Sequence, residues 1–556
     1  MRRSVPLLLA LPVLALGVAA CAAPAPDGGS AEDAADALSA ERIRTHLRTL
    51  ASDSFLGRGP GQPGGDLAAE YIADRFREAG LEPVDGSYYQ AVPMIGTTPV
   101  PASVRLALRG PGGATAPAYL DDMVIHAGDP RGEPVSVEAE LVFAGYGIDA
   151  PENGWADFGG VDVAGKVLLV LVNDPPAPTD EPELFGGPAM TYYGRWTYKY
   201  EEAARQGAAG VLIVHETEPA GYPWSVVRGG WSGEQFALPP DPAAPLPPAF
   251  VGWISRSATE AALATAGLDF EALKARAASR GFRAMPTGIT ASAGVESRVR
   301  EVETVNVVGL LPGTARPDEV VTITSHYDHF GVGEVIEGDS IYNGAYDNAS
   351  GTALLIEMAG ATTAAGSTPE RSLLFIATAA EEQGLLGAAW YAQSPLFPFS
   401  RTVAEVNVDG ANLWGETDDV TVHGEERSDL GAFARARAAE MGLTIVPDAE
   451  PEKGFFFRSD HFPFALAGVP ALYFEHGRGY RGRPEGWGDS IQADYTANHY
   501  HAPSDEYSEE FVLDGAVQQG RLALLTILDI ANDDGWPNWV AGSEFKAARD
   551  RMMEGG

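Results

Sequence analysis

Two adjacent carboxylates, Glu381 and Glu382, follow an apolar run in the stretch LLFIATAAEEQGLLG. Neighbouring anions repel each other, so folding alone gives no reason to place this pair at the end of a buried strand. One member of such a pair can bind a cation while the other takes a proton from water. An isolated pair is more typical of a solvated turn, and it is the rest of the chain that favours a metal site.

Further metal-ligand types stand at the ends of predicted strands and in two loops. They are His326, with Asp328 and His329 close by, in VVTITSHYDH, Asp347 in IYNGAYDNASG, Asp409 in VAEVNVDG and His501 in NHYHAPSDEY. Two histidines and three carboxylates suit zinc or a similar divalent ion, and five ligands are more than one tetrahedral site needs. One bridging carboxylate would let two ions use all five, and the two ions would hold both the attacking water and a substrate carbonyl.

The elements that position these residues begin at about Thr304. Continuous apolar runs alternate there with helix-length segments, which is typical of a parallel sheet buried on both faces. Loops at the carboxyl ends of such strands meet in a crevice, which is where the ligand types lie. Upstream, Ser39–Leu50 and Asp66–Ala79 have helical spacing. Tyr88–Val92 and Ser103–Leu108 have the composition of short strands.

The middle region, residues 136–292, has a different pattern. Strand-like VEAELVFAGYG and GKVLLVLVND precede the helical segment TYKYEEAARQGAAG and the strand-like VLIVHE. This order predicts a small mixed α/β or β module. The region contains no tight cluster of titratable groups, so no chemistry is assigned to it.

Composition limits the functional classes. The 556 residues are enough for two to four domains, and 45% hydrophobic residues are typical of a soluble globular protein. The net charge of −39 argues against nucleic acid as a partner, because nucleic-acid binding requires a basic surface.

The N-terminus resembles an export signal. Arg2 and Arg3 precede an apolar run that is too short to span a membrane comfortably. The run ends in VAAC, which resembles a bacterial lipoprotein lipobox, and Cys21 is the only cysteine of the chain. We therefore expect lipidation at Cys21 and a membrane-anchored protein of the bacterial cell envelope, the alternative being an ordinary secretory signal and a secreted protein. A single cysteine excludes an internal disulfide.

Six motifs in a fixed order resemble those of the M28 metallopeptidases, the co-catalytic zinc aminopeptidases. They are SHYDH, NGAYDNASG, ATAAEEQGLLG, NVDG, RSDHFPFALAGVPALYF and YHAPSDEY, and the similarity covers Thr304–Glu510, with a weaker part over Ile43–Arg77. AGYGIDAPENGWADFGGVDVAGKVLLVLVND resembles the protease-associated domain that many M28 peptidases carry as an insertion. The implied fold is α/β, with a mixed, mostly parallel central sheet flanked by helices and an inserted β-rich domain.

The resemblance also assigns roles to individual residues. It implies two zinc ions per chain, with manganese or cobalt as alternatives, held by His326, Asp347, Glu382, Asp409 and His501, with Asp347 bridging. It implies Glu381 as general base, Tyr500 as donor to the oxyanion, Asp328 as the partner that orients His326 and Arg458 as a substrate contact. Asp505 is expected either to orient His501 or to cap a turn, and His329 to lie behind the ligands or at the surface. Tyr346 departs from the family, many members of which have an aspartate there, and the Asp347–Asn348 peptide bond is expected to be cis.

The resulting domain prediction has six parts. They are a lipoprotein signal peptide (1–21), a tether (22–38), a first part of the peptidase domain (39–135), the insert (136–292), the catalytic part (293–535) and a C-terminal tail (536–556). The predicted function is removal of N-terminal residues from peptides with a free N-terminus. The alternatives are a carboxypeptidase or a glutaminyl-cyclase-like enzyme on the same fold, and a non-catalytic binding protein.

Overall fold

The computed structural model describes residues 29–242 and 244–554. The predicted signal peptide and the lipidation site Cys21 lie outside these residues and stay predictions. Within the described ranges, no helix combines the length and the apolar character that a membrane span requires.

The described residues form strands in four sheets. In chain order the strands are β1 (Tyr89–Pro99), β2 (Arg105–Gly110), β3 (Gly113–Thr115), β4 (Met123–Ala127), β5 (Val135–Phe143), β6 (Asp149–Ala150), β7 (Trp155–Ala156), β8 (Val167–Leu171), β9 (Gly210–His215), β10 (Gln235–Ala237), β11 (Phe250–Ser255), β12 (Met285–Val295), β13 (Ser297–Leu311), β14 (Arg316–His326), β15 (Gly331–Ile336), β16 (Asp339–Tyr342), β17 (Arg371–Thr378), β18 (Thr402–Asn407), β19 (Asp419–His423), β20 (Thr444–Ile445) and β21 (Ala471–His476).

The α-helices cover both faces of the sheets. In chain order they are α1 (Ala31–Asp36), α2 (Ala40–Leu50), α3 (Pro63–Glu78), α4 (Trp196–Arg205), α5 (Thr217–Ala220), α6 (Trp224–Ser232), α7 (Arg256–Ala264), α8 (Phe270–Ala277), α9 (Gly351–Ala364), α10 (Leu386–Gln393), α11 (Gly431–Glu440), α12 (His461–Leu466), α13 (Trp487–Asn498), α14 (Asp514–Asn532) and α15 (Lys546–Glu554).

A nine-stranded mixed sheet forms the centre of the catalytic part, in the order β10-β1-β13-β17-β14-β18-β21-β19-β20. Its middle strands β17, β14, β18 and β21 are parallel, while β1 and β13 are antiparallel to their neighbours. The predicted fold class, a mixed sheet with a parallel centre flanked by helices, is confirmed. Every residue of β17 is buried, as expected for a strand covered on both faces.

Alternate residues of β17 pack into different layers. Leu373 and Phe375 face a large core shared with α2, α3, α9 and α14, while Leu374 and Ile376 face a smaller core beside α10 and α12. This alternation fixes the strand between two helical layers, and it holds the loop that follows the strand at one edge of the sheet.

The inserted domain is built around an eight-stranded sheet in the order β3-β2-β12-β5-β8-β9-β11-β4. The prediction of its limits at 136 and 292 is wrong, because β2, β3 and β4 from the supposed first part of the peptidase domain belong to this sheet. The insert leaves the central sheet after Pro99 and returns at Ser297, which are paired neighbours on β1 and β13. Its strand β10 pairs with β1 and becomes an edge of the central sheet.

Both predicted flanking segments are also more ordered than expected. Part of the predicted tether forms α1, whose Ala34 and Ala35 are buried and which packs on α9 and α14. Part of the predicted tail forms α15, whose buried Arg549 donates hydrogen bonds to the carbonyls of Thr402 and Val403. Both segments therefore belong to the catalytic part.

Candidate active site

Three of the predicted ligand positions lie where adjacent strands end. β14 lies between β17 and β18, and the three strands are parallel. His326 is the last residue of β14, Glu381 and Glu382 lie just beyond β17, and Asp409 lies just beyond β18. Because parallel strands end at one edge of a sheet, the three loops lie side by side.

The two remaining ligands come from loops that approach the same edge. Asp347 lies in the π-helical turn Ala345–Ser350 that leads into α9, and the Asp347–Asn348 peptide bond is cis, as the resemblance implies. His501 lies between α13 and α14 with a φ of 57°, and Ala380, just before Glu381, has a φ of 54°. Non-glycine residues in this left-handed region are uncommon and concentrate at functional sites.

The five predicted ligands converge around Asp347. Its Oδ1 lies 3.3 Å from Nε2 of His326, and its Oδ2 lies 3.5 Å from Nε2 of His501. Nε2 of His326 is also 3.2 Å from Oδ1 of Asp409, and Nε2 of His501 is 3.0 Å from Oε2 of Glu382. The two oxygens of Asp347 therefore face two half-sites, one formed by His326 and Asp409 and the other by His501 and Glu382.

Two residues outside the predicted ligand set also lie within reach. Possible ligand atoms lie close together in two groups of three residues. The first group is Glu381, His326 and Asp409, and the second is His329, Asp347 and Glu382. His329 is fully buried, and its Nδ1 contacts Oε1 of Glu382, the oxygen that faces away from His501. This contact favours His329 as the residue that orients Glu382.

The two adjacent glutamates have opposite electrostatic environments. Burial raises the pKa of Glu381 well above its usual range, and Asp409 and Glu382 raise it further against the opposing effect of His326. For Glu382, burial and Asp347 raise the pKa, but His501 and His329 outweigh them and lower it to about 2. Paired carboxyl groups with separated pKa values are typical of sites in which one carries protons and the other stays anionic.

The donor set fits divalent cations. Asp347, Glu381, Glu382 and Asp409 lie within one small site, and their only ion-pair partners among the described residues are histidines. Buried carboxylates are costly unless cations or hydrogen bonds compensate them. Burial would lower the pKa of His501, but Glu382 and Asp347 raise it to about 9, so the site attracts positive charge. Imidazole and carboxylate ligands in this number match zinc chemistry.

The carboxylates of Asp328 and Asp505 accept hydrogen bonds from backbone groups of the site. Oδ1 of Asp328 is 3.8 Å from Nδ1 of His326, which instead contacts the Asp328 carbonyl at 3.2 Å. The Asp328 carboxylate accepts a hydrogen bond from the backbone N–H of Glu381 at 3.0 Å. Asp505 accepts hydrogen bonds from the backbone N–H groups of Tyr346 and Asp347. Of the two roles expected for Asp505, these contacts match the cap of a turn, the turn that contains Asp347.

A cleft opens beside the ligands and has two parts. The larger has a volume of about 550 Å³ and the smaller about 110 Å³. Glu381, Glu382, Arg458, Tyr500 and His501 line both parts, so the two pockets meet at the ligand cluster. The pKa of the Tyr500 hydroxyl is raised well above its usual value by burial, with Asp347 and Glu382 adding to the effect. The hydroxyl therefore stays a hydrogen-bond donor at neutral pH.

The larger part of the cleft is walled by the insert, to which the sequence assigned no chemistry. Its lining from that domain includes Tyr192, Arg195, Trp196, Tyr222, Val226 and Trp231. The aromatic-rich stretch TYYGRWTYKY supplies part of this wall. The sequence alone does not reveal that position, because such a stretch is equally typical of a domain core. Only the packing of the insert on the catalytic part brings Arg195 next to Arg458.

Comparison with known proteins matches residues 306–525 to the model of Peptidase family M28. A probable zinc metalloprotease of Pyricularia oryzae is 38% identical over 141 residues, which is 25% of this chain and 26% of that protein. Aminopeptidase YwaD of Bacillus subtilis is 24% identical over 252 residues, 45% of this chain and 49% of that one. The chain thus matches half or less of the length of these curated relatives.

A solved structure supports the fold over most of the chain. The aminopeptidase from Aneurinibacillus sp. strain AM-1 superimposes with a TM-score of 0.54 and 20% identity, covering 91% of this chain and 97% of that one. The family match spans the strands β14, β17 and β18, together with Asp347 and His501. The predicted ligand positions therefore lie in the segment of this chain that matches peptidase family M28.

Proposed function

We propose that this chain is a zinc-dependent exopeptidase of the aminopeptidase type, which removes residues from peptides with a free N-terminus. The observation that supports this most is Asp347, whose two carboxylate oxygens face His326 and His501 in separate half-sites. Two ions at these half-sites, held by His326, Asp347, Glu382, Asp409 and His501, would polarise the substrate carbonyl and activate the attacking water.

The protein's own residues would then manage the proton and the developing charge. Glu381 lies on the cleft wall, where it would take a proton from the attacking water as the new C–O bond forms. As the C–N bond breaks, Glu381 would return that proton to the leaving amine nitrogen. Tyr500 would donate a hydrogen bond to the oxyanion that forms on the carbonyl oxygen.

The acidic part of the cleft suits the cationic end of such a substrate. Asp347, Asp409 and Glu475 line the smaller pocket beside the catalytic glutamate. An unblocked peptide N-terminus carries an ammonium group, which carboxylates in a partly buried pocket would attract more strongly than in water.

A matched panel of chromogenic substrates tests this proposal. We expect the purified protein to cleave aminoacyl substrates with a free amine, to lose that activity on chelation and to regain it with zinc. Each substrate would be paired with its N-acetylated form. Cleavage of the N-acetylated forms at equal rates would contradict an aminopeptidase.

The zinc content separates the remaining enzyme alternative. An aminopeptidase of the kind proposed would hold two zinc ions per chain, whereas a glutaminyl-cyclase-like enzyme would use one. Elemental analysis of the reconstituted protein gives this ratio directly. We also propose that the enzyme acts outside the cytoplasm, anchored through Cys21, since the N-terminal sequence has the composition of a lipoprotein signal.

A further inference from the structure

A buried chain of polar side chains runs from the central sheet to the predicted ligand Asp409. Its four members are Glu405, Thr324, Asn407 and Ser459, each of which is at most 2% exposed. Thr324 and Asn407 are paired neighbours on β14 and β18, and Ser459 lies in the loop before α12. Buried polar groups need hydrogen-bond partners, and each side-chain type has a fixed number of donors and acceptors. The donor and the acceptor of each contact in this chain can therefore be assigned.

The direction of the chain follows from its end at Asp409. Oγ of Ser459 lies 2.6 Å from Oδ2 of Asp409, and a carboxylate that binds a cation only accepts hydrogen bonds. The single hydroxyl proton of Ser459 is therefore donated to Asp409. Oγ of Ser459 can then only accept, which it does from Nδ2 of Asn407 at 2.7 Å. This places Oδ1 of Asn407 at the other side of the amide, 2.8 Å from Oγ1 of Thr324.

The other end of the chain requires a proton on Glu405. Thr324 also has a single hydroxyl proton, and it is donated to Oδ1 of Asn407. Oγ1 of Thr324 lies 2.5 Å from Oε1 of Glu405, so an ionised Glu405 would place two acceptors in contact with no proton between them. A protonated Glu405 donates to Thr324 instead. Every contact of the chain then has one donor and one acceptor.

The surroundings of Glu405 also favour the neutral acid. The side chain is fully buried, its Oε2 has no hydrogen-bond partner, and no cationic side chain among the described residues pairs with it. A buried carboxylate without such partners is costly. Burial raises the pKa of Glu405 well above its usual range, the contact with Thr324 lowers it, and the charge of Asp460 raises it further.

We propose that Glu405 carries a proton in the folded protein and that the chain it begins positions Asp409 for metal binding. Because Ser459 donates to Oδ2 of Asp409, the oxygen left for an ion is Oδ1, which lies 3.2 Å from Nε2 of His326. The neutral acid achieves this without adding negative charge beside a site that is already rich in carboxylates. This role rests on the proposed function, because it requires Asp409 to bind an ion.

Infrared spectroscopy tests the proton on Glu405. A protonated carboxyl group and a carboxylate absorb in separate regions, so the difference spectrum between the wild type and Glu405→Gln shows which form is lost. We expect the loss of a protonated carboxyl band. Glu357→Gln is the matched control, since Glu357 is also buried but pairs with Arg42 at 2.7 Å and should lose a carboxylate band. Loss of a carboxylate band from the Glu405 variant would overturn the inference.

Zinc titration tests the positioning of Asp409. Thr324→Val keeps the shape of the side chain but removes the hydroxyl that joins Glu405 to Asn407. We expect one of the two zinc ions to bind about 10–100-fold more weakly, the usual effect of lost support behind a ligand. Thr324→Ser retains the hydroxyl and should retain the wild-type affinity.

Thr322→Val is the matched control for that variant. Thr322 lies two residues earlier on β14 and is equally buried, but its Oγ1 has no hydrogen-bond partner among the described residues, so zinc affinity should not change. A Thr324→Val variant that is less stable but binds both ions as tightly as the wild type would overturn the positioning role.

Failure of the proposed function would give a different result. A wild type that binds no zinc would contradict that function, and a crystal structure of Thr324→Val would then decide on the chain, with an unmoved Asp409 carboxylate overturning its role. The infrared comparison needs neither zinc nor the Thr324 variants, so it decides on the proton of Glu405 in every case.

Discussion

At the scale of single residues, the adjacent carboxylates Glu381 and Glu382 differ because their side chains face different partners. Glu382 is nearly inaccessible and lies between His329 and His501, which stabilise its anionic form. Glu381 lies on the cleft wall, with its Oε2 4.0 Å from Nε2 of His326. Adjacent positions after a strand point in different directions, so one carboxylate can bind an ion while the other remains free for proton transfer.

Substitution of the two glutamates should separate turnover from metal binding. We expect Glu381→Gln to retain its zinc and to lose a factor of about 10²–10⁴ in kcat, the range typical of general acid–base catalysis. The isosteric variant Glu382→Gln is the matched control and should lose zinc as well as activity, because a neutral amide is a weaker ligand. Zinc per chain and kcat on one aminoacyl substrate give both results. Full turnover in the Glu381 variant would refute its role.

At the scale of elements, Arg58 connects the loops that carry the ligands. Its buried guanidinium donates hydrogen bonds to the carbonyls of Leu50, Tyr327, Asn343 and Gly344. Tyr327 follows the predicted ligand His326 at the end of β14, and Gly344 precedes the turn that contains Asp347. One side chain from the loop before α3 thus fixes the spacing of two ligand-bearing loops.

Removal of this guanidinium should weaken both the fold and the metal site. Arg58→Met would leave four carbonyls without their donor, and we expect a loss of about 3 kcal/mol or more in the free energy of unfolding. We also expect zinc affinity to fall by about 10–100-fold, the usual effect of lost support behind a ligand. Urea denaturation and zinc titration measure these changes.

Arg48→Met provides the comparison for that variant. Arg48 is 58% exposed on α2, and its only ion-pair partner in the part of the chain that the structure describes is the exposed Glu509 at 3.8 Å. Its loss should therefore change stability by less than about 0.5 kcal/mol. Equal stability of the two variants would show that the carbonyl contacts of Arg58 contribute little.

Local sequence patterns were enough to predict the cluster of ligand types at the strand ends but not the residues that support it. His326, Glu382 and Asp409 follow buried strands, and a run of apolar residues predicts both the strand and the loop after it. The contacts of Asp505 with backbone N–H groups, and those of Arg58 with backbone carbonyls, join segments far apart in the chain. No pattern within one segment contains that information.

The limits of the insert were misplaced for a related physical reason. Strands β2 and β12 pair across a long sequence separation, and β2 on its own has the same composition as a strand of the catalytic sheet. Strand composition indicates that a strand exists but not which sheet it joins, because register and partner depend on tertiary packing. The sequence likewise does not predict that Arg195 lies beside Arg458, because that proximity depends on how the insert packs on the catalytic part.

At the scale of the whole molecule, a buried histidine in the insert makes stability depend on pH. His126 on β4 contacts the carbonyl of Trp231 at 2.9 Å through Nε2, and burial lowers its pKa to about 4. The unfolded chain would take up a proton near the ordinary pKa of 6.5, before the folded protein does. Stability from this residue is therefore complete above pH 6.5 and decreases as the pH falls to 4.

The variant His126→Gln tests that dependence. Its amide can still donate to the Trp231 carbonyl but does not titrate, so the variant should lose less stability than the wild type between pH 6.5 and 4. The two losses in the free energy of unfolding should differ by about 3 kcal/mol, which corresponds to a pKa shift from 6.5 to about 4. Urea denaturation at several pH values provides the measurement. Parallel curves for the two proteins would exclude His126 as a source of the acid sensitivity.

The insert and the catalytic part line one cleft although they are separate in topology. Tyr192 of the insert packs against Phe457 and Phe462, and Asn173 donates a hydrogen bond to the carbonyl of Glu452. These contacts join the insert to the segment around Arg458. The ligands themselves, however, all lie outside residues 100–296, so metal binding and substrate recognition should be separable.

Excision of the insert should leave metal binding intact and impair substrate recognition. Pro99 and Ser297 are paired neighbours on antiparallel strands, so replacement of residues 100–296 by Asn-Gly would close a two-residue hairpin. We expect the shortened protein to bind zinc, since its ligands remain, but to lose at least about tenfold in kcat/KM, mainly through a higher KM, because one wall of the cleft is gone. Circular dichroism and zinc content establish that the protein is folded and loaded. Tyr192→Ala, which removes the ring contacts with Phe457 and Phe462, should have a kcat/KM between those of the two proteins. An unchanged kcat/KM after excision would show that the insert takes no part in substrate binding.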